Sequence, residues 1–392
     1  MTQKNRKIII LSVVLIIFLF NSSSISILAK EQEYKTFDEI GGSFSEENIN
    51  YSKDEPRSIA EFEPAQQLLL SWPKWWSKTD GYIQEPYFIN ITRAAQEYIK
   101  VNIIVNNNFF KNRVISKLKE NQIPLNNITF SIITTNSIWI RDYGPFFIEK
   151  NNNLETVDFH RYPHHYPYLF HRIIDDFFPM FYGIKYCINN CFIGNFFLTI
   201  QGGNYMTDGR GIGFVGDRIF DTDNPYLSKN RVINRLKYFL GLKDVIVLQS
   251  EIMNKEEGSL STGHIDMFAK LLDENTILVG SYKYKTDVNY GILEDNALLL
   301  ESKGYNVIRI PMLRDPDNKD NTWTYVNSLI INNGYKKAVL VPQYNIPEDT
   351  EAISIYEQAM PDYNIIGIDS STIIKSLGAI HCTSLTVPIY TS

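Results

Sequence analysis

Residues 228–248 read SKNRVINRLKYFLGLKDVIVL, and they contain the unit from which the chain is built. Apolar residues recur at helical spacing from Ser228 to Leu242, and a short run rich in β-branched residues, Val245–Leu248, follows directly. Gly241 stands where such a helix is expected to stop. The stretch therefore predicts a helix followed by a strand.

The same pair of elements recurs along the chain, five times in all. Gly304 and Pro361 mark the ends of two further helices, as residues that stop helices do. The predicted helices are Pro86–Lys100, Phe110–Glu120, Ser228–Leu242, Tyr290–Lys303 and Asp349–Met360, and the strands that follow them are Val101–Val105, Thr129–Ile133, Val245–Leu248, Asn306–Ile310 and Asn364–Ile368.

Two α/β architectures fit this alternation. A doubly wound parallel sheet is the more frequent one. Five strand–helix–strand units could instead close radially, each burying its apolar face against its neighbour. Periodicity alone does not distinguish the two.

Composition indicates a folded protein of 392 residues with a large core. The hydrophobic set is 44% and charged residues are 21%. The formal charge of −6 argues against a protein that binds nucleic acid.

The N-terminus predicts export. Lys4, Arg6 and Lys7 precede an apolar run from Ile8 to Phe20, and Ala29 closes a polar zone, as in a secretory signal. We expect a signal peptide at residues 1–29, a polar linker at 30–57 and one catalytic domain at 58–392, in a secreted or cell-surface protein. An uncleaved anchor is the alternative.

Cysteine usage leaves one thiol for chemistry. Cys187 and Cys191 are separated by three residues, and a short loop disulfide is plausible in an exported chain. Two independent buried thiols, or half of a metal site, are the alternatives. A disulfide would leave Cys382 as the only free thiol.

Five segments concentrate polar or ionisable residues at strand-like positions, and four of them also contain glycine. If one of these segments, Gly263–Asp266, is a strand, His264 and Asp266 point to the same face. A structural His–Asp pair is the plainer interpretation of that segment alone. The five segments are Trp139–Pro145, Gln201–Met206, Gly263–Asp266, Thr324–Ser328 and Gly378–Ser384.

The ionisable residues of these segments have structural alternatives as well. Asp142 follows Arg141, and an ion pair at a turn is the common case; in extended chain the two would face opposite ways. Cys382 lies in what we predict to be an apolar strand, where a buried thiol is usual. Its neighbour His381 would then point away, so His264 is the better partner. His160, Arg161, His164 and His165 belong to a loop for which a solvated position is the plainer interpretation and the edge of a pocket is the alternative.

Taken together, the five segments resemble the agmatine deiminase and bacterial (Porphyromonas-type) peptidylarginine deiminase family of the pentein superfamily. The resemblance covers roughly Ala60 to Pro388, including Glu61-Phe62-Glu63-Pro64. It implies a pentein fold, a five-bladed α/β propeller with pseudo-fivefold symmetry, and no metal or organic cofactor.

The resemblance also implies roles for particular residues. Cys382 would be the nucleophile and His264 the general acid and base, while Asp142 and Asp266 hold the guanidinium. Asn327 would contact substrate, and Trp139 and Asn204 would form the pocket wall. The reaction expected is deimination of peptidyl-arginine to citrulline and ammonia through a covalent thiouronium.

Agmatine is the alternative substrate. Agmatine-type members tend to carry an acidic residue before Gly-Gly and a serine after it, where this chain has Gln201 and Asn204. Tyr143 and the export signal also favour the peptidyl branch. Two other classes stay open: a secreted cysteine hydrolase, which gives Asp142 and Asp266 no role, and an inactive guanidine-binding module.

Overall fold

The computed structural model describes residues 56–72, 81–161, 174–186, 188, 191–192, 198–252, 262–316 and 321–389. Within the chain, Ser52–Ser392 form one compact unit. The predicted signal peptide and nearly all of the predicted linker lie outside the described residues, as do Cys187 and the side chain of Cys191, so these stay predictions.

Each of the five predicted helices is present, most of them within two residues of the expected bounds. The first begins earlier than predicted, because Pro86 lies inside the helix instead of starting it. It also ends earlier, because the Asn127 amide caps the carbonyls of Gln96 and Ile99. The described helices are α1 (Gly81–Ala95), α2 (Asn108–Glu120), α3 (Ile140–Tyr143), α4 (Phe178–Tyr186), α5 (Lys229–Leu240), α6 (Tyr290–Ser302) and α7 (Glu348–Ala359).

The strands are short, and the five predicted ones are among them. The described strands are β1 (Arg57–Ser58), β2 (Ala65–Ser71), β3 (Lys100–Val105), β4 (Ile128–Ile132), β5 (Phe146–Lys150), β6 (Asn153–Val157), β7 (Cys191–Phe192), β8 (Tyr205–Thr207), β9 (Ile212–Gly216), β10 (Asp244–Leu248), β11 (Ala269–Leu271), β12 (Thr276–Tyr282), β13 (Asn306–Arg314), β14 (Thr322–Thr324), β15 (Leu329–Asn332), β16 (Lys337–Gln343), β17 (Asn364–Asp369) and β18 (Ser384–Pro388).

The described strands form five separate sheets instead of one doubly wound sheet. Their orders are β1-β5-β6-β7, β10-β9-β8, β11-β12-β13-β14, β15-β16-β17 and β18-β2-β3-β4. Each sheet combines parallel and antiparallel pairs. The fold is thus mixed α/β, and five sheets are compatible with the five units expected from the repeat.

The α5–β10 unit shows how the sequence builds one such repeat. Ser228 accepts a hydrogen bond from the Arg231 amide and caps the helix, and Gly241 ends it in the left-handed conformation at φ 63°. Val232 and Leu236 face the core between the two caps. β10 then pairs parallel to β9.

A strand near each end of the described chain lies in the same sheet. β18 pairs antiparallel with β2, opposing Leu385 to Leu69, and β2 pairs parallel with β3. The strand that follows Cys382, β18, therefore lies in the same sheet as β2. No helix among the described residues is long and apolar enough to cross a membrane.

Candidate active site

The five motif segments lie in short helical segments, turns and strand ends, so the prediction of strand-like positions is wrong. His264 precedes a single 3₁₀ turn, Ile265–Met267, which the Met267 amide closes on the His264 carbonyl at 3.2 Å. Cys382 likewise lies in a turn before β18. Both turns lie directly before a strand, where side chains of different segments can converge, which a continuous strand would not allow.

Three ionisable side chains converge on Gly203. A β-carbon at that position would lie 2.7 Å from His264 Nδ1, 2.9 Å from Asp142 Oδ1 and 3.0 Å from Asp266 Oδ2. His264 Nδ1 and Asp142 Oδ1 are 3.5 Å apart, and the Gly203 amide donates to Asp142 at 3.3 Å. The glycine leaves the space that brings the imidazole and both carboxylates together.

Cys382 adjoins this group through Asp266. Its Sγ is 3.4 Å from Asp266 Oδ2 and 3.1 Å from Asn327 Nδ2. The Asn327 Oδ1 atom accepts from the amides of Ala379 and Cys382 at 3.1 and 3.3 Å. Asn327 was expected to contact substrate; in the structure it holds the cysteine turn and its thiol.

The two predicted wall residues differ in their surroundings. Trp139 is close to the thiol, because a β-carbon on Gly378 would meet both the indole at 2.6 Å and Cys382 Sγ at 3.1 Å. Asn204 is fully buried. Its side-chain amide bonds the Gly216 backbone and accepts from the Ile265 amide, so it braces the His264 turn; its place in the pocket wall stays a prediction.

Burial sets the protonation of the two groups that are predicted to be catalytic. His264 is 1% exposed and Cys382 is 2% exposed. Burial, with Asp266 and Asp142 nearby, raises the pKa of the Cys382 thiol well above its usual value. Burial, aided by the Arg218 charge, lowers the pKa of His264 to about 3. In this structure the pair is thus a thiol and a neutral imidazole.

Sequence reasoning did not assign to the site the cations that lie near the carboxylates. Arg161 was expected in a solvated loop, but it is buried, stacked on the Tyr143 ring at 4.7 Å and 3.4 Å from Asp142 Oδ2. As expected, Arg141 does not neutralise Asp142; its Nη2 atom pairs with Glu61 Oε2 at 2.9 Å. Only the tertiary fold brings Arg161 to Asp142, because the two residues are on separate segments.

Glu61 and His381 were also missed as parts of the site. His381 Nδ1 is 2.7 Å from Asp266 Oδ2, and its Nε2 is 2.7 Å from Glu61 Oε2. Two signals pointed to them: His381 directly precedes the cysteine, and Glu61 belongs to the Glu61-Phe62-Glu63-Pro64 segment of the resemblance. The expectation that His381 points away from the site is wrong, because the segment is a turn.

Comparison with known proteins shows the family to which the chain belongs. A family model described as Porphyromonas-type peptidyl-arginine deiminase matches residues 57–388. Agmatine deiminase from Medicago truncatula is 24% identical over 84% of this chain and 95% of its own length.

Solved structures share the fold. A C. jejuni agmatine deiminase with serine in place of a cysteine and substrate bound has a TM-score of 0.74, at 23% identity over 88% of this chain and all of its own. Agmatine deiminase of Enterococcus faecalis has a TM-score of 0.70, at 20% identity over 86% of this chain and 96% of its own.

The fold and the family match together define a hydrolase of C–N bonds in amidines, a guanidine deiminase. The chain belongs to the Porphyromonas-type peptidyl-arginine deiminase family. Its substrate is accordingly a guanidinium compound.

Proposed function

We propose that this protein deiminates agmatine, with Cys382 as nucleophile, and releases N-carbamoylputrescine and ammonia. One observation carries the proposal: Cys382 Sγ is 3.4 Å from Asp266 Oδ2, while Asp266, Asp142 and His264 surround Gly203. A thiol, an imidazole and two carboxylates are the groups that a planar cationic electrophile requires.

The two carboxylates provide the grip on the substrate. A guanidinium is planar and presents paired N–H donors, which carboxylates accept bidentately. Asp142 and Asp266 lie on different turns around Gly203, so together they can orient the central carbon toward the sulfur. Both are nearly buried, which strengthens the attraction for a cation.

The substrate's own charge activates the thiol. In this structure burial and the two carboxylates raise the pKa of Cys382. A guanidinium held between those carboxylates would offset their charge, and the thiolate would become easier to form. The Asn327 amide, 3.1 Å from the sulfur, would stabilise that thiolate by donating to it.

His264 would carry the proton through both halves of the reaction. As sulfur bonds to the guanidine carbon, the neutral imidazole takes the thiol proton and gives it to the departing nitrogen, so the C–N bond breaks and ammonia leaves. The covalent thiouronium then accepts water, whose proton His264 takes; the C–S bond breaks to release the ureido product, and His264 returns that proton to the departing sulfur, which restores the thiol.

The relatives support agmatine over the substrate favoured by the sequence. The Medicago truncatula relative and both structural neighbours are agmatine deiminases. Peptidyl-arginine is the second candidate, and it is favoured by the description of the family model and by Gln201, where agmatine-type members tend to carry an acid.

A parallel assay tests the choice. The full chain is given agmatine, free arginine, a peptide ending in arginine and a peptide with internal arginine, and ureido formation is measured for each. We expect agmatine to have the highest kcat/KM. A higher value for either peptide would overturn agmatine in favour of peptidyl-arginine. Amide cleavage without ammonia would overturn deimination itself.

We also propose that the protein is exported. The charged head, apolar run and small-residue zone of residues 1–29 support this, and they precede the family match at 57–388. Expression of the full chain in a secreting bacterium, followed by N-terminal sequencing of the extracellular and cellular fractions, tests it. A new N-terminus near Ala29 outside the cell is expected; an intact N-terminus confined to the cytoplasm would contradict export.

A further inference from the structure

Asp266 is held by an imidazole that is itself held by a second, partly buried acid, Glu61. His381 Nδ1 lies 2.7 Å from Asp266 Oδ2, and Nε2 lies 2.7 Å from Glu61 Oε2. Carboxylate oxygens accept hydrogen bonds, so a ring nitrogen that carries a proton donates to the acid it faces. The ring is thus placed between two acids, with 3% of its surface exposed.

Glu61 is the fixed end of this series of hydrogen bonds from Asp266 through His381. Its Oε2 accepts from Arg141 Nη2 at 2.9 Å, and its Oε1 accepts from the Ile330 amide at 3.1 Å and from Lys270. The positive neighbours hold the pKa of Glu61 well below its usual value despite burial. A carboxylate with so many partners cannot turn away from His381 without leaving buried charges unpaired.

Backbone hydrogen bonds connect His381 and Arg141 to the turn that carries the proposed nucleophile, Cys382. The His381 amide donates to the Asn327 carbonyl at 3.1 Å, and Arg141 Nε donates to the His381 carbonyl at 3.3 Å. The Arg141 amide donates to the Cys382 carbonyl at 3.2 Å. His381 is thus fixed on the same turn as the thiol, and its ring reaches the carboxylate beside that thiol.

Asp266 has few other means of orientation. Its Oδ2 atom contacts both His381 and Cys382, while its Oδ1 is buried and makes no hydrogen bond with the described residues. The oxygen without a partner is thus available to a guanidinium, and the other is fixed by His381. Loss of His381 would let the carboxylate rotate.

We propose that His381, supported by Glu61, is a positioning residue that fixes the substrate-gripping rotamer of Asp266. The proposal rests on the deiminase function proposed above. It assigns the second histidine of the site to substrate binding through Asp266, separately from proton transfer by His264.

Two substitutions separate the ring nitrogens. In His381→Asn the amide nitrogen takes the place of Nδ1 and can still donate to Asp266; in His381→Gln it takes the place of Nε2 and reaches Glu61 only. Since a hydrogen bond to a charged group is worth roughly a factor of ten or more, we expect KM to rise about tenfold or more in His381→Gln and less in His381→Asn.

The experiment measures kcat and KM of both variants with the guanidine that the wild type turns over. Agmatine titration calorimetry in a Cys382→Ser background provides the corresponding Kd. Leu236→Ala, a core change on α5, serves as the destabilised control and should leave KM unchanged. Equal KM values for wild type and His381→Gln, or a larger defect in His381→Asn, would overturn the proposal.

Two further outcomes are separable. A wild type that turns over no guanidine would contradict the proposed function, whereas an active wild type with unaffected variants contradicts only the role of His381. If the His381 variants do not fold, Glu61→Gln, which keeps the shape of the acid, replaces them: a raised KM supports the proposal, and an unchanged KM overturns it.

Discussion

At the scale of single residues, the site depends on small groups placed against reactive ones. Gly203 leaves room for three ionisable side chains, and Gly378 leaves room for Trp139 beside Cys382. Any side chain at either position would displace atoms that the proposed reaction needs. The glycines of the motifs thus determine geometry as directly as the ionisable residues do.

Cys382→Ser should abolish turnover while substrate binding persists. The hydroxyl is a much weaker nucleophile than the thiol, and loss of a nucleophile lowers kcat on the order of 10³-fold or more. Ammonia release measures turnover, and calorimetry with agmatine measures binding. A variant as active as the wild type would refute Cys382 as the nucleophile.

Gly203→Ala should reduce kcat/KM by tenfold or more while the protein remains folded. The new methyl group would lie within 3.0 Å of His264, Asp142 and Asp266, so at least one must move. Gly291→Ala is the matched control, because a β-carbon there meets nothing within 4 Å. If both variants keep wild-type kcat/KM, the crowding inferred around Gly203 is wrong.

At the scale of elements, helix and strand bounds follow from local signals, and their ends are fixed by contacts made further away. α5 is bounded by Ser228 and Gly241, both readable in the sequence. The backbone of Gly241 also approaches the Pro56 carbonyl, almost two hundred residues away along the chain. The C-terminal end of α5 thus packs against the segment that contains Pro56.

Gly241→Ala should lower the free energy of unfolding by more than Gly304→Ala does. Both glycines have positive φ, 63° and 91°, so both changes incur backbone strain of roughly 1 kcal/mol or more. Only at Gly241 would the β-carbon also lie 1.5 Å from Pro56 O. Urea denaturation of both variants measures the difference; equal losses would contradict the contact with Pro56.

At the scale of the whole molecule, burial of the site ties stability to pH. The pKa of His264 is lowered to about 3 in the folded protein, against 6.5 for an unperturbed histidine. The unfolded chain therefore takes up a proton first as pH falls. The stabilisation associated with neutral His264 is complete above pH 6.5 and is lost between 6.5 and about 3.

His264→Gln should make the protein less sensitive to acid. From pH 7 to pH 5 the wild type should lose about 2 kcal/mol more unfolding free energy than the variant, at roughly 1.4 kcal/mol per pH unit below the unfolded pKa. Urea midpoints and slopes at the two pH values measure this. Parallel losses in both proteins would show that His264 is not buried in its neutral form.

The sequence by itself determined the five helix–strand units and the identity of the four residues that converge, Cys382, His264, Asp142 and Asp266. Helical spacing, helix caps and motif residues are local, so they can be read without knowing what lies opposite. The tertiary structure decided that the motifs form short helical segments and turns, that Asn327 holds the thiol and that Asn204 braces a turn.

The tertiary structure also decided which charges are near the carboxylates. Arg161 lies beside Asp142. His381 contacts both Asp266 and Glu61, and Glu61 precedes His381 by 320 residues in the sequence. Such contacts depend on which sheet edge each segment reaches and on what its burial leaves unpaired. No local pattern encodes them, because hydrogen bonds between distant segments exist only once the fold has formed.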